Sequence, residues 1–144
     1  MKLEQIQEWW TKDCILDETE VSREASIIPQ LHNKYLKLHT IERLALLKLQ
    51  EDLKRLRFEK MEFYRDGPND ETRARGWEFP PRGRLAPGLA ATYVDADKDV
   101  IAMNLQVGFQ SEKVSVLHEI IKSLNNRNYL LTNILADRKW SQGS

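Results

Sequence analysis

Residues 41–64 read IERLALLKLQEDLKRLRFEKMEFY. Within them Leu46, Leu49, Leu53, Leu56 and Phe63 recur at three- and four-residue steps, the seam of a helix packed on another helix. Thr40 is placed to cap its start. Lys54, Arg57, Phe58 and Met61 fall together on a different face by the same spacing. One side of this helix therefore suits a partner helix, and another is basic and aromatic. Cations and rings on the same few turns suit an extended polyanion with flat bases, meaning single-stranded nucleic acid. Taken alone, the run from Lys54 to Tyr64 is better read as a solvated amphipathic helix.

Upstream, Leu3, Ile6 and Trp9 or Trp10 share one face of a short amphipathic helix over residues 2–11. Asp17 or Thr19 can cap a second helix running to about His39. Its stripe is Ile28, Leu31, Tyr35 and Leu38, and Pro29 predicts a kink or restart inside it. Downstream, residues 65–94 hold most of the prolines and glycines, and that density of breakers predicts no helix there. Arg73, Arg75, Arg82 and Arg84 interleave with Trp77 and Phe79, so the segment is a second candidate for backbone and base contact, with a mobile linker as the plainer reading.

Asp95, Asp97 and Asp99 resemble the start of a calcium loop, but the glycine and terminal glutamate do not follow. Capping of a helix N-terminus is the better account. From Val100 to Phe109 the pattern fits both strand and helix: Ile101, Met103, Leu105, Val107 and Phe109 alternate, while Ile101, Leu105 and Phe109 also recur every four. Val114, Leu117, Ile121 and Leu124 are helical. One long helix is expected from about Asp97 to Asn126, then a turn at Asn125–Asn128, then a short helix from Tyr129 to Trp140 carrying Leu131, Ile134 and Leu135. A terminal apolar helix of this kind suits docking against another subunit.

The 144 residues suit one domain, or one with an appendage, with formal net charge zero. The charges are segregated. Residues 1–25 set three cations against seven carboxylates, net −4, and residues 33–61 set eight against four, net +4. An acidic arm beside a basic helix can meet both a nucleic acid and a basic protein surface, or equally form a self-complementary contact between copies. Cys14 is the lone cysteine, which excludes an intrachain disulfide. The N-terminus does not read as a signal peptide, and no apolar run spans a membrane; a soluble intracellular protein is expected. There is no phosphate-cradling glycine loop, no cysteine pair, and no His-Glu-Xaa-Xaa-His. His32, His39 and His118 are scattered, so neither metal nor cofactor is expected. The residues point to a helical binding or oligomerisation protein, not an enzyme.

The opening MKLEQIQE, then KDCILD at 12–17 and EAS at 24–26, resembles the UvsY recombination mediators of T-even-type bacteriophages and their marine relatives. The resemblance continues through NKYLKLHT at 33–40, FYRDG at 63–67, ADKDVI at 96–101 and the Leu105–Gln106 pair. Lys113, Val114 and Leu117, then IIKSLNNRN at 120–128 and RKW at 138–140, extend it to the C-terminus. It covers nearly the whole chain except residues 68–92. It implies a mainly α fold: a helical, hairpin-like ssDNA-binding part at 1–66, an irregular Pro/Gly/Arg-rich loop at 67–94, and a helical oligomerisation part at 95–144, assembling into a ring of six or seven copies. It also implies a non-catalytic accessory of homologous recombination in the cytoplasm of an infected bacterium. Its partners would be single-stranded DNA, a RecA-like recombinase and the phage single-strand-binding protein.

The family's Lys-Ala-Arg-Leu run falls on Phe58, Glu59, Lys60 and Met61, where Lys60 alone keeps a charge. Lys54, Arg55 and Arg57 are expected to supply the missing phosphate contacts, with Phe58 stacking on a base and Arg73, Arg75, Arg82 and Arg84 assisting. Leu117, Ile121, Leu124, Leu131, Ile134 and Leu135 are expected to support oligomerisation. A helical adaptor that binds proteins without touching DNA is the alternative.

Overall fold

In a computed structural model the structure describes residues 1–81 and 85–143. They form five helices, and among them no strand occurs. These are α1 (Leu3–Asp13), α2 (Val21–Asp66), α3 (Asp70–Ala74), α4 (Leu89–Ala96) and α5 (Lys98–Ser141). The chain divides into two units, residues 1–44 with 111–144, and residues 45–110. No helix is long and apolar enough to cross a membrane among the described residues.

The first unit packs α1 against the first part of α2 and the last part of α5. Ile6, Tyr35, Leu117, Ile120 and Leu124 form its core, with Trp10, Leu31 and Leu38 around them. Trp10 meets Tyr35 edge to face at 5.6 Å. Tyr35 is buried, so its hydroxyl needs a partner and donates to Asp13 Oδ2 at 2.7 Å. The Lys34 ammonium joins that carboxylate at 2.6 Å. Burial pushes the Asp13 carboxyl up, and the Lys34 and Tyr35 bonds outweigh it, holding the pKa below the ordinary range. A smaller cluster of Val21, Ile28 and Leu131 closes the other end of this unit.

Pro29 lies inside α2, which runs past it without a restart. Two further expectations about breaks are corrected. Thr40 caps nothing, since its Oγ1 donates back to the Leu36 carbonyl within an unbroken helix. The Asn-rich stretch at 125–128 is also helical, so α5 is one element to Ser141. The reason is tertiary: Leu124 and Leu131 are both buried, and between them the Arg127 guanidinium donates to the Asp13 carbonyl at 3.0 Å. Packing of this kind exceeds the few tenths of a kcal/mol by which asparagine disfavours a helix.

The second unit gathers aromatic residues. Phe63, Tyr64, Ala90, Val94 and Val100 are its core, with Leu53, Leu56, Trp77, Phe79 and Tyr93 packed around them. The segment 65–94, expected to be irregular, holds α3 and most of α4. Asn69 starts α3 with a capping box: its side chain accepts from the Thr72 amide, while Thr72 Oγ1 accepts from the Asn69 amide. Gly88, with φ of +92°, starts α4 in a conformation that a residue with a Cβ rarely adopts. The stretch 97–110, open between strand and helix, is the beginning of α5. Asp97 caps it as expected: its Oδ1 accepts the Asp99 amide at 2.8 Å and the Val100 amide at 3.2 Å.

Candidate nucleic-acid interface

The final turns of α2 sort their side chains by register. Leu53, Leu56, Lys60 and Phe63 follow one another at steps of three, four and three, so all four turn inward. Lys54 and Phe58, four apart, turn outward together, and Arg55 lies beside them on the exposed surface. Phe58 is 63% exposed, a whole ring offered to solvent between cations. Arg65 continues the same stripe seven residues on, pairing with its neighbour Asp66 at 3.0 Å. That spacing from Phe58 is the signal by which it can be found in the sequence.

Lys60, the charge kept at the family's motif, is placed inside. It is 2% exposed, and its ammonium meets Asp97 at 3.0 Å and Asp99 at 2.9 Å. It also lies 4.0 Å from the centre of the Trp77 ring. The Tyr64 hydroxyl donates to the same Asp97 oxygen at 2.6 Å. Burial pushes the Asp97 carboxyl up, but Tyr64, Lys60 and the Val100 amide together hold it below the ordinary carboxylate range. Burial likewise raises the Tyr64 phenol, and Asp97 raises it further, so it stays a donor. Lys60 can reach a phosphate only by leaving two carboxylates and a ring, which makes it a structural cation here.

The remaining cations are more accessible. Arg57 reaches Asp95 at 2.7 Å with both side chains substantially exposed. Lys54 pairs with Glu51 at 3.1 Å on the helix surface. Arg75, just past α3, lies 4.1 Å over the Trp77 ring and meets Glu59 at 2.6 Å. Arg55 and Arg75 line one cleft of about 180 Å³ together with Asp52, Leu56, Glu59 and Met103. Arg55 makes no ion pair among the described residues. Arg73 is exposed, paired to Asp70 at 3.4 Å, and does not line that cleft. Arg82 and Arg84 lie outside the described residues. A surface of this kind can hold phosphodiesters by charge-assisted hydrogen bonds and a base by stacking on Phe58. Among the described residues no group of three or more His, Cys, Asp or Glu side chains is arranged to hold a metal ion.

The residues expected to serve oligomerisation mostly serve the first unit. Leu117, Leu124 and Leu131 are buried in it, Ile121 and Ile134 pack against its clusters, and Leu135 is 53% exposed. Besides Leu135, the exposed apolar side chains of α5 are Ile101, Leu105 and Phe109 in the second unit, and Tyr129, Leu130 and Trp140 in the first. Ile101, Leu105 and Phe109 recur every four residues and so form one stripe.

A family profile described as "Recombination, repair and ssDNA binding protein UvsY" matches residues 9–144. The curated "Recombination protein uvsY" of Enterobacteria phage T4 is 24% identical over 143 residues, covering 99% of each chain. Crystal structures of the bacteriophage T4 recombination mediator protein UvsY are similar in fold. The lattice type II form gives a TM-score of 0.85 at 22% identity, covering 99% of both chains. The lattice type I form gives 0.80 at 21%, covering 95% of this chain and 98% of that one. At these identities the structural likeness speaks to fold alone. It matches the all-helical architecture from end to end, and with the profile spanning all but the first eight residues, the chain belongs to the UvsY family of recombination, repair and ssDNA-binding proteins.

Proposed function

We propose that this protein is a recombination mediator that binds single-stranded DNA through the exposed face of α2 and helps load a RecA-like recombinase onto strands covered by single-strand-binding protein. The observation that carries the reading is the exposed Phe58 ring beside Lys54 and Arg55, on a helix within the family match. Lys54, Arg55, Arg57 and Arg75 neutralise phosphates, and Phe58 stacks on an unpaired base. Arg73, Arg82 and Arg84 are candidates for further backbone contact. The protein does no chemistry of its own.

Each copy offers only a few phosphate contacts, which are weak singly and strong when several copies act on one strand. A ring of six or seven copies supplies that multiplicity. The exposed Ile101, Leu105, Phe109, Leu135 and Trp140 side chains support self-assembly, because apolar rows of this size are uncommon on a chain that stays alone. The setting would be the cytoplasm of a phage-infected bacterium. Fluorescence anisotropy with a labelled oligothymidine tests the reading. Saturable binding that weakens with salt supports it, and no binding leaves a protein-only adaptor.

A further inference from the structure

The cations of the proposed strand-binding face are not idle. The Arg57 guanidinium reaches from α2 to Asp95 near the end of α4 at 2.7 Å, and the Arg75 guanidinium reaches from the end of α3 to Glu59 on α2 at 2.6 Å. A guanidinium presents the same fork of N–H donors to a carboxylate as to a phosphate, so one ligand displaces the other from those donors. All four side chains keep substantial solvent exposure. Exposed ion pairs are weak, so these two can be exchanged. Lys60 shows the contrast, since its carboxylates are held in a buried network with Tyr64 and Trp77.

We propose that Asp95 and Glu59 are internal competitors for phosphate at Arg57 and Arg75, so that a strand binds this face by exchanging carboxylate for phosphate. This rests on the reading of α2 as the strand-binding helix and adds its regulation. Arg55, which has no carboxylate to displace among the described residues, makes the first contact. The exchange then frees the Arg57 and Arg75 links that tie α3 and α4 to α2, while Asp97, two residues past Asp95, stays locked to Lys60. The competition sets a threshold: an isolated phosphate is a poor exchange for a tethered carboxylate, whereas a strand that engages several cations at once displaces them together.

The test is a double-mutant cycle on affinity for a labelled oligothymidine, measured by anisotropy at fixed salt. Asp95→Asn is expected to tighten binding about two- to fivefold. Glu78→Gln removes an equal charge at an exposed position outside these pairs and is the control for general electrostatics. In an Arg57→Gln background the gain from Asp95→Asn should vanish. Glu59→Gln in wild-type and Arg75→Gln backgrounds repeats the cycle on the second pair. Coupling at either pair supports exchange there. A gain at neither, or gains that persist without the arginines or are matched by Glu78→Gln, overturns the proposal. Failure of the underlying reading looks different: Lys54, Arg55 and Arg57 all changed to Gln would leave affinity at the wild-type value.

Discussion

Arg57 and Lys60 are three residues apart on one helix and differ mainly in register. Arg57 has a solvent-exposed partner in Asp95, while Lys60 sits four residues after Leu56 and three before Phe63, in the line of the seam. A buried ammonium needs its carboxylates, and truncating one partner of such a set costs roughly 3–5 kcal/mol; here the loss of Asp97 leaves Lys60 to the partly exposed Asp99 and removes the acceptor of the Tyr64 hydroxyl. Asp97→Ala should therefore lower the unfolding free energy by about that much in urea melts monitored by circular dichroism. An effect below 1 kcal/mol would mean that Lys60 is not buried in solution. The same carboxylate sets an acid limit. Its pKa is lower in the folded chain than in the unfolded one, so its stabilisation is complete above the unfolded Asp value of about 3.9 and is lost as pH falls through the folded value. The urea midpoint should fall below pH 4, and Asp97→Asn should flatten that fall while lowering the plateau.

At the scale of the helix, Asn126 discriminates between a turn and a continuous element. It is exposed in the middle of α5, so Asn126→Ala should raise stability by about 0.5 kcal/mol, the difference in helix preference. A turn would lose stability from the same change, and thermal melts separate the two. Gly67 ends α2 at φ of +91°, donating its amide to the Phe63 carbonyl at 2.9 Å, so Gly67→Ala should cost about 1–2 kcal/mol in the same measurement. Much of this level was legible in the sequence. The seam from Leu53 to Phe63, the α1 face and the Asp97 cap all follow from spacing and side-chain chemistry. Lys60 reads as a strand contact from its place in the family's charged run, although its spacing from Leu56 and Phe63 puts it in the seam. Its partners lie 37 and 39 positions away, and no local pattern pairs them. The turn expected at Asn125–Asn128 failed because local preferences of a few tenths of a kcal/mol yield where Leu124, Arg127 and Leu131 are buried. The helices inside 65–94 were missed because Asn69 directly follows Pro68 and Thr72 lies eight residues before the Pro80–Pro81 pair, in a segment judged by its breakers, not its caps.

At the scale of the whole molecule, the proposed reading links self-assembly to strand binding, since few contacts per copy become tight binding only through several copies. Ile101, Leu105 and Phe109 leave an apolar row on α5 that folding does not cover. Replacing all three with serine should shift sedimentation toward smaller species, keep the helical circular dichroism, and weaken strand binding at least tenfold. Unchanged sedimentation would move the assembly surface elsewhere, with Tyr129, Leu130 and Trp140 next to be examined. The central claim is that the outward face of α2 holds a single strand by its phosphates. Its most direct test is the affinity for an oligothymidine across a salt series, for the wild type and for Lys54, Arg55 and Arg57 all changed to Glu. The account predicts that log K falls linearly with log salt, with a slope near −0.7 for each phosphate neutralised, and that the variant loses most of both affinity and slope. A variant that binds as tightly as the wild type, along the same line, would contradict it.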